Sequence, residues 1–522
     1  MPTPADETST PDGDTPAAGR SDGGQPLAER GSNRSQRPTS EAFKAFIAAG
    51  WAPRSPDLPP RAEVAEHAAA RRSSVSARFP GERLVLPAGP LRTRSNDSDY
   101  RYRPHSAFAH LTGLGTDREP DAVLVLDPTD GGHEAVLYFR PRAERDTEEF
   151  YADSRYGELW VGARPTLADV EAELGLTCRH VDGLPDALAK DVGPDGVRVR
   201  VVPGADDAVT ATVTAARAAA GLTDTEYADA DAALAEALSE LRLVKDAWEV
   251  RQLRGAVEAS ALGFAEVVRV LPQAVGHARG ERVVETAFEV VARREGNGTG
   301  YDTIAAAGAH ACTLHWIRND GPVRPGDLVL VDAGVEADSL YTADVTRTLP
   351  VSGTFTDAQR RVYQAVLDAA DAAFAVARPG SRFADLHAAA MEVIADRLAQ
   401  WGLLPVSAQE SLDPETGGYH RRWMVHGTSH HLGLDVHDCA QARRQMYLDA
   451  QLVPGMVFTI EPGLYFPPDD LSVPVELRGI GVRIEDDVLV TADGYDNLSG
   501  MLPRTPDDVE AWMRSLAAGP AT

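Results

Sequence analysis

Residues 326–351 read GDLVLVDAGVEADSLYTADVTRTLPV, two apolar segments that each carry one aspartate. The first segment leads into Asp332, and Asp344 leads into the second. This pattern predicts two strands joined by a turn, with the aspartates at the inner ends of a hairpin. Antiparallel pairing would set the two carboxylates side by side, where like charges repel at a cost of several kcal/mol unless a cation lies between them.

Two glutamates lie in similar apolar contexts further along the chain. Glu461 occurs in VFTIEPG and Glu485 in GVRIEDD. Acidic side chains normally avoid strands and their buried faces, so four such carboxylates are unusual. Their combined charge exceeds what one divalent ion neutralises, which favours two ions bridged by shared oxygens.

Each of these acids also has a purely structural interpretation. Taken singly, Asp332 could be a turn residue, Asp344 a surface acid and Glu461 a residue at the end of a strand. Glu485 could belong to a solvated acidic run with the two aspartates that follow it. The structural interpretation is the stronger one for any single acid, but not for all four beside a histidine cluster.

That cluster is WMVHGTSHHLGLDVHD, residues 423–438. It contains His426, His430, His431 and His437. The i, i+4 spacing of His426 and His430 would place both on one helix face, as in zinc sites, but the glycines of the stretch argue against a stable helix. We therefore expect the histidines to have different roles. One imidazole would be a metal ligand, and others would take part in proton transfer or substrate binding. We expect His431 to be a core residue.

Two more polar residues have sequence contexts that indicate a role in a site. His315 lies in ACTLHW, just ahead of the turn before Asp332. Arg483 and Glu485 share one strand face by the period of two, so the guanidinium can orient or neutralise a neighbouring ligand or a substrate carboxylate. The simpler alternative for Arg483 is an ordinary ion pair.

The rest of the chain predicts a tail followed by two domains. Residues 1–37 are rich in small and polar residues and predict a disordered tail. Residues 38–222 alternate strands and helices, which favours an α/β layer. Residues 223–522 run helix, helix, hairpin, helix, helix and then strands, which favours an α+β domain. Capping-box patterns predict helix starts at Asp246 and Thr356.

Composition narrows the class of protein. The 522 residues carry 51 Lys+Arg and 79 Asp+Glu, a formal charge of −28, which excludes a generally basic nucleic-acid binder. No segment approaches the ~20 apolar residues of a membrane span, and no secretory signal is evident, so we expect a cytoplasmic protein. The three cysteines, at 178, 312 and 439, are too few and too dispersed for a disulfide framework, and we expect buried core thiols.

The motifs VDAG, ADVTRT, HGTSHHLGLDVHD, TIEPGLY and GVRIEDD, in this order, closely resemble those of the metal-dependent proline peptidases of the pita-bread fold. They are most similar to the aminopeptidase P (Xaa-Pro aminopeptidase) family, within the creatinase, prolidase and methionine aminopeptidase superfamily. The resemblance covers the chain from about residue 226 to the end and extends loosely upstream, where residues 95–126 resemble the opening of a creatinase-like domain. It implies a creatinase-like α/β domain over 38–222 and a pita-bread α+β catalytic domain over 223–522.

Carried onto this sequence, the family's pattern implies a dinuclear metal site. Asp344 and Glu485 would bridge the two ions. Asp332 would bind one ion, and His430 and Glu461 the other. Four oxygen donors with one imidazole form a hard set, which favours Mn²⁺ and leaves Co²⁺, Fe²⁺ or Zn²⁺ as alternatives in vitro. Two manganese ions per subunit are also the family expectation.

The resemblance also implies a reaction. A hydroxide bridging the two ions would attack the carbonyl before a proline in second position and release the N-terminal residue. Glu461 would accept the water proton, His426 would stabilise the oxyanion or assist the leaving nitrogen, and His437 is a further proton-handling position. The implied substrate-binding residues are His315, His426, His437, Tyr465 and Arg483. Because the proline nitrogen has no N–H, a shaped pocket must hold the ring.

Two alternatives remain open at this point. Prolidase, which cleaves only Xaa-Pro dipeptides, shares the fold and all five ligands. A metal-free relative, either a creatinase-like hydrolase or a non-catalytic scaffold, belongs to a different class, and such relatives typically lose the ligands that are present here. The resemblance further implies peptide substrates and a homo-oligomer, a dimer or a tetramer, with no nucleic-acid or membrane partner.

Overall fold

The computed structural model of the protein describes residues 38, 40–222 and 224–517. The tail that the sequence predicts to be disordered lies outside the described residues. The chain divides into two compact units. The described residues up to Arg54 together with Arg142–Arg164 form the first unit, and Ser55–Pro141 together with the described residues from Pro165 onward form the second.

The secondary structure of the described residues alternates helices and short strands. The helices are α1 (Glu41–Ala48), α2 (Val64–Arg78), α3 (Ser106–Thr112), α4 (Glu148–Ala152), α5 (Glu158–Val161), α6 (Leu167–Leu174), α7 (Leu184–Ala189), α8 (Asp207–Ala219), α9 (Asp224–Leu241), α10 (Ala247–Val275), α11 (Gly280–Glu295), α12 (Asp357–Val376), α13 (Phe383–Gln400), α14 (Ala408–Ser411), α15 (Arg444–Tyr447) and α16 (Pro506–Ala517). The strands are β1 (Glu82–Pro87), β2 (Thr93–Ser95), β3 (Ser98–Asp99), β4 (Val123–Thr129), β5 (Gly132–Phe139), β6 (Thr177–His180), β7 (Arg198–Val201), β8 (Gly298–Thr299), β9 (Ile304–Ala307), β10 (Leu328–Ala333), β11 (Val335–Glu336), β12 (Val345–Pro350), β13 (Val457–Ile460), β14 (Gly463–Phe466), β15 (Ile480–Arg483), β16 (Asp486–Val490) and β17 (Tyr495–Asn497).

The first unit contains the three short helices α1, α4 and α5. Two aromatic side chains join them, since Trp51 packs edge-on against Phe150 with ring centroids 5.6 Å apart. An ion pair of 2.6 Å between Arg54 Nη2 and Glu158 Oε2 adds a polar contact. The unit is therefore held by a few aromatic and charged contacts.

The second unit begins with a five-stranded sheet in the order β6-β5-β4-β1-β7. Strand β1 pairs antiparallel with β4 and parallel with β7. One core of this layer contains Leu84, Leu126 and Phe139, and helix α9 contributes Leu234 and Leu238 to it. The predicted α/β class of the N-terminal domain is confirmed.

The remainder of the second unit packs the helix pairs α10–α11 and α12–α13 around short antiparallel sheets. Both predicted capping boxes are present, because the Asp246 carboxylate accepts bonds from the first-turn amides of α10 and Thr356 does so for α12. An edge-to-face contact of 5.6 Å between Phe264 and Phe288 lies between α10 and α11. The predicted α+β class of the catalytic domain is confirmed.

The hairpin that carries the two aspartates forms as predicted, in an offset register. Strand β10 pairs antiparallel with β12, and Asp332 faces Thr346 while Ala333 faces Val345. Asp344 therefore lies one step beyond the last pair, diagonally across from Asp332. The two carboxylates are therefore neighbours through a diagonal arrangement across the hairpin.

Helix α16 corrects the expectation of strands alone at the C-terminal end. Pro506 opens the helix, where a missing N–H costs nothing, and two acidic residues follow in its first turn. Val509 and Met513, spaced i and i+4, are buried in the catalytic core. The pattern is amphipathic over only three turns, which makes it inconspicuous in the sequence.

Cys178 and Cys439 are buried and Cys312 is half-buried, and all three are free thiols. The core prediction therefore holds fully for two of them. None of the described helices has the length and apolar character that crossing a bilayer requires.

Candidate active site

A cavity of about 540 Å³ in the second unit brings the predicted metal ligands together. Its lining includes Asp332, Asp344, His430, Glu461 and Glu485. Strands β10, β12, β13 and β16 meet here, and each carries one carboxylate at or directly beside its end. The apolar strand residues that bury these ends leave Asp332, Asp344 and Glu485 buried and Glu461 half-buried.

Three of the side chains are close enough to share one ion. Asp344, His430 and Glu485 offer ligand atoms that all lie within 4.8 Å of one another. His430 Nε2 lies 3.3 Å from Asp344 Oδ2 and 3.3 Å from Glu461 Oε1. Carboxylate oxygens crowded around one imidazole suit a hard divalent cation, so the residues present fit the metal centre that the family implies.

The electrostatics of the cluster favour the same conclusion. Burial, opposed by His430 and assisted by Asp344, raises the pKa of Glu461 to about 7. Burial and the neighbouring carboxylates raise the pKa of Glu485 well above its ordinary range. Burial alone would lower the pKa of His430, but Asp344 and Glu461 outweigh it and raise the pKa to about 9. These groups hold protons that a bound cation would displace.

Arg483 compensates the charge of one predicted ligand. Its Nη2 lies 2.5 Å from Asp332 Oδ2, its Nη1 donates to the Tyr465 hydroxyl at 3.1 Å, and its Nε donates to Thr346 Oγ1 at 3.1 Å. Thr346 in turn donates to Glu485 Oε2 at 2.6 Å. Of the roles expected for Arg483, the contacts support neutralisation of a neighbouring acid.

His426 and Tyr465 form a hydrogen-bonded pair beside Glu461. His426 Nε2 lies 2.8 Å from the Tyr465 hydroxyl, and Nδ1 lies 2.7 Å from the carbonyl oxygen of Gly427. Because a carbonyl only accepts, Nδ1 carries the proton and Nε2 accepts from Tyr465. Burial, together with the charge of Arg483, lowers the pKa of His426 to about 3, so the ring is neutral.

The two remaining predicted histidines also face the cavity. The ring of His437 lies 4.3 Å from that of His430 at 85°, and burial lowers the pKa of His437. His315 is exposed at the rim. All the predicted site residues therefore lie in this cavity or directly against it.

Tyr301 is a residue of the site that the sequence did not reveal. Its hydroxyl lies 2.7 Å from Asp332 Oδ1 and 2.5 Å from Asp344 Oδ1. Burial and these two carboxylates raise the pKa of Tyr301 well above its usual range, so the hydroxyl keeps its proton. Its motif, GTGYDT, has no feature that distinguishes it from a turn before a strand.

The two aspartates after Glu485 are buried, which corrects their interpretation as a solvated run. Asp486 pairs with the fully buried Arg347 at 2.7 Å, and Asp487 Oδ2 accepts the backbone N–H of Asp344 at 3.1 Å. The partners come from a strand distant in sequence, so the local pattern could not show them.

His431 is a core residue, as predicted. It is fully buried, and its ring stacks on Phe383 with centroids 4.6 Å apart. Burial, with the charge of Lys245, lowers its pKa to about 3, which keeps the imidazole neutral among its aromatic neighbours.

Comparison with known proteins agrees with this geometry. The model of the metallopeptidase family M24 matches residues 251–492, and that of the aminopeptidase P N-terminal domain matches residues 68–199. The chain is 51% identical to Xaa-Pro aminopeptidase 1 of Streptomyces coelicolor over 478 residues, 91% of this chain and 93% of that one. It is 32% identical to the Xaa-Pro aminopeptidase of Escherichia coli over 85% of this chain and 96% of that one.

Solved structures give the same result. The fold superposes on Pseudomonas aeruginosa aminopeptidase PepP with a TM-score of 0.74 at 31% identity, covering 87% of this chain and 98% of the other. Aminopeptidase P from E. coli with the inhibitor Pro-Leu matches with a TM-score of 0.74 at 31% identity over 87% of this chain and 99% of that one.

Fold, cavity and relatives together define a metal-dependent hydrolase with a creatinase-like N-terminal domain and a pita-bread catalytic domain. The chain belongs to the Xaa-Pro aminopeptidases of metallopeptidase family M24. It is accordingly a metallo-aminopeptidase.

Proposed function

We propose that the protein releases the N-terminal residue from peptides with proline in second position, and that it does so at a centre of two divalent cations. The observation that carries the proposal is the convergence of four carboxylates and one imidazole on a single cavity. Asp344 and Glu485 would be shared between the ions. Asp332 would complete one site, and His430 and Glu461 the other.

The donor set indicates the metal and what it contributes. Four carboxylates with one imidazole favour Mn²⁺ over softer ions. Two bound divalent ions lower the pKa of water, so that a hydroxide nucleophile is available at neutral pH. The residues of the chain then have to position the peptide, handle the protons and neutralise the charge that develops.

Glu461 is the group we assign to proton transfer. Its Oε1 lies 3.3 Å from His430 Nε2 among the predicted ligands, and a carboxylate at this place can accept a proton from water in the cavity. His426 Nδ1 lies 3.6 Å from Glu461 Oε2. Both ring nitrogens of His426 are already engaged, so its contribution to oxyanion stabilisation or to the leaving nitrogen involves the Tyr465 hydroxyl, which Arg483 holds at 3.1 Å.

Substrate contacts are assigned to the cavity wall. His315 and His437 are the polar groups that would bind the peptide. Leu314, Ile317 and Val436 line the same cavity and can pack on the proline ring, which offers no N–H to grip. A prolidase would have to close the site beyond the proline carboxylate, whereas an aminopeptidase leaves a path for the rest of the peptide.

We further propose a cytoplasmic homo-oligomer, a dimer or a tetramer, that acts on peptides and binds neither nucleic acid nor membrane. The acidic net charge of −28 supports the exclusion of nucleic acid. The domain limits 38–222 and 223–522 are likewise proposed. They are supported by the two family matches, over 68–199 and 251–492, each of which falls inside one domain.

Metal loading and Glu461→Ala test the proposal together. Stripped protein dialysed against Mn²⁺ should retain about two ions per chain. Glu461→Ala should lower kcat by about 10²-fold or more, because the proton acceptor and one ligand are lost. Glu415→Ala, at an exposed position in the same unit, is the matched control. Full turnover of Glu461→Ala would exclude this mechanism, and a chain that binds no divalent ion would favour a metal-free creatinase-like hydrolase or a scaffold.

A further inference from the structure

A buried carboxylate outside the metal centre organises one wall of the substrate cavity. Glu281 lies in the first turn of α11 and is fully buried. It is not among the residues that line the cavity, and none of the site chemistry above requires it. A buried ionised carboxylate is costly unless its oxygens are fully hydrogen-bonded, so its partners indicate its role.

Four donors surround this carboxylate, two on each oxygen. Oε1 accepts from the backbone N–H of Ala307 at 2.8 Å and contacts His310 Nδ1 at 2.7 Å. Oε2 accepts from the indole N–H of Trp316 at 2.9 Å and from the backbone N–H of Gly321 at 2.7 Å. The oxygen Oε1 therefore holds the start of one loop, and Oε2 holds its end.

That loop, residues 308–321, carries His315 between the two held ends. Its side chains at 314, 315 and 317 all line the substrate cavity. The rings of His310 and Trp316 stack at 3.9 Å, which leaves the polar edge of each ring facing Glu281. A Cβ on Gly321 would lie 2.8 Å from Glu281 Oε2, so the loop end packs closely on the carboxylate.

We infer that Glu281 is a positioning residue for substrate binding: its carboxylate closes the 308–321 loop and thereby sets the place of His315 at the cavity rim. The inference rests on the proposed function, in which His315 contacts the peptide. Glu281 touches neither substrate nor the predicted ligands. Its effect is therefore expected on peptide binding, with little change in the reaction itself.

Glu281→Gln tests this with nearly unchanged volume. The amide keeps one acceptor oxygen but turns an NH₂ toward two donors, which releases one end of the loop. We expect KM for an Xaa-Pro-Xaa tripeptide to rise about five-fold or more with kcat within about two-fold, and Mn²⁺ content to stay unchanged. Glu295→Gln, exposed at the other end of α11, is the matched control and should leave both parameters unchanged.

Trp316→Phe provides a second, milder variant should the glutamine variant not fold. It removes one donor and keeps the ring against His310, so KM should rise about two-fold. The decisive comparison combines each change with His315→Ala. If Glu281 acts through His315, the second substitution should add less than about two-fold to KM. The inference would be overturned if Glu281→Gln raised KM by the same factor in the His315→Ala background as in the unmodified protein. It would also be overturned if Glu281→Gln and Glu295→Gln had equal kinetics.

Amide hydrogen exchange separates this inference from the proposed function. In Glu281→Gln, exchange should be faster at whichever of the Ala307 and Gly321 amides faces the new NH₂ group, with β10 unchanged. Wild-type protein that cleaves no Xaa-Pro peptide would contradict the proposed function, while the exchange result would still report on the loop closure. Unchanged exchange in an active enzyme would contradict the inference alone.

Discussion

At the scale of single residues, one tyrosine hydroxyl lies between two acids that would bind metal. Tyr301 contacts both Asp332 and Asp344 but has one proton to donate. It can therefore satisfy only one ionised carboxylate at a time. Burial raises the pKa of Asp332 despite the opposing charge of Arg483, consistent with a second proton in the metal-free cluster. A cation would remove the need for that proton.

Tyr301→Phe should accordingly weaken Mn²⁺ binding by about 10–100-fold, because a hydrogen bond that orients two ligands is lost. The measurement is a calorimetric titration of stripped protein with Mn²⁺. Tyr363→Phe is the control for loss of a tyrosine hydroxyl, since that tyrosine is fully buried and its hydroxyl has no hydrogen-bond partner among the described residues. Equal Mn²⁺ affinity of the two variants would show that Tyr301 does not orient the ligands.

The raised pKa values make metal binding depend on pH. In the metal-free fold, Glu461 is raised from 4.5 to about 7 and His430 from 6.5 to about 9. The stabilisation from these protonated groups is complete below the unfolded values and is lost as pH rises through the folded values. A cation must displace the same protons, so Mn²⁺ affinity should increase between about pH 6 and pH 8, with proton release. Affinity that is independent of pH over this range would contradict the assignment of these residues as ligands.

At the scale of elements, local sequence signals predicted much of the site's framework. Acids embedded in apolar strands marked Asp332, Asp344, Glu461 and Glu485, because few other environments tolerate them. The capping box at Thr356 predicted where α12 begins. These features are predictable because the physical cause and the residue lie within one turn or one strand of each other.

Features that depend on distant partners could not be predicted in this way. Tyr301 meets Asp332 across 31 residues, and Glu281 meets Gly321 across 40. In the sequence, Asp486 has the pattern of a solvent-exposed acid. In the structure it is paired with Arg347, which lies 139 residues away along the chain. No local period or cap encodes such contacts, so only the folded chain reveals them.

Thr356→Ala tests the helix start without touching the site. The threonine hydroxyl accepts the Gln359 amide at 3.3 Å, and the Gln359 side chain accepts the Thr356 amide at 2.9 Å. Loss of this cap should lower the free energy of unfolding by about 1 kcal/mol while kcat/KM stays unchanged. Denaturant unfolding of Thr356→Ala beside Thr356→Ser, which keeps the hydroxyl, measures it. Equal stability of the two variants would mean that the cap contributes nothing.

At the scale of the whole molecule, the N-terminal layer of the second unit helps to shape the catalytic cavity. Arg103 Nη2 donates to the carbonyl oxygen of Leu434 at 2.5 Å, and Ser106 donates to Asp435 Oδ1 at 2.5 Å. These contacts fix the segment directly before His437. Helix α9, which lies beyond residue 222, also packs into the core of this layer. The catalytic and N-terminal parts of the second unit therefore depend on each other for the shape of the site.

The central claim is a metal-dependent Xaa-Pro aminopeptidase with an open path beyond the proline. The most direct test strips the protein with a chelator, restores Mn²⁺ and compares an Xaa-Pro dipeptide with Xaa-Pro-Xaa tripeptides and longer peptides of the same start. We predict release of the first residue from the tripeptide and the longer peptides, and only after Mn²⁺ is restored. Cleavage of the dipeptide alone would identify a prolidase, and absence of metal-dependent cleavage of every peptide would contradict the account of the site.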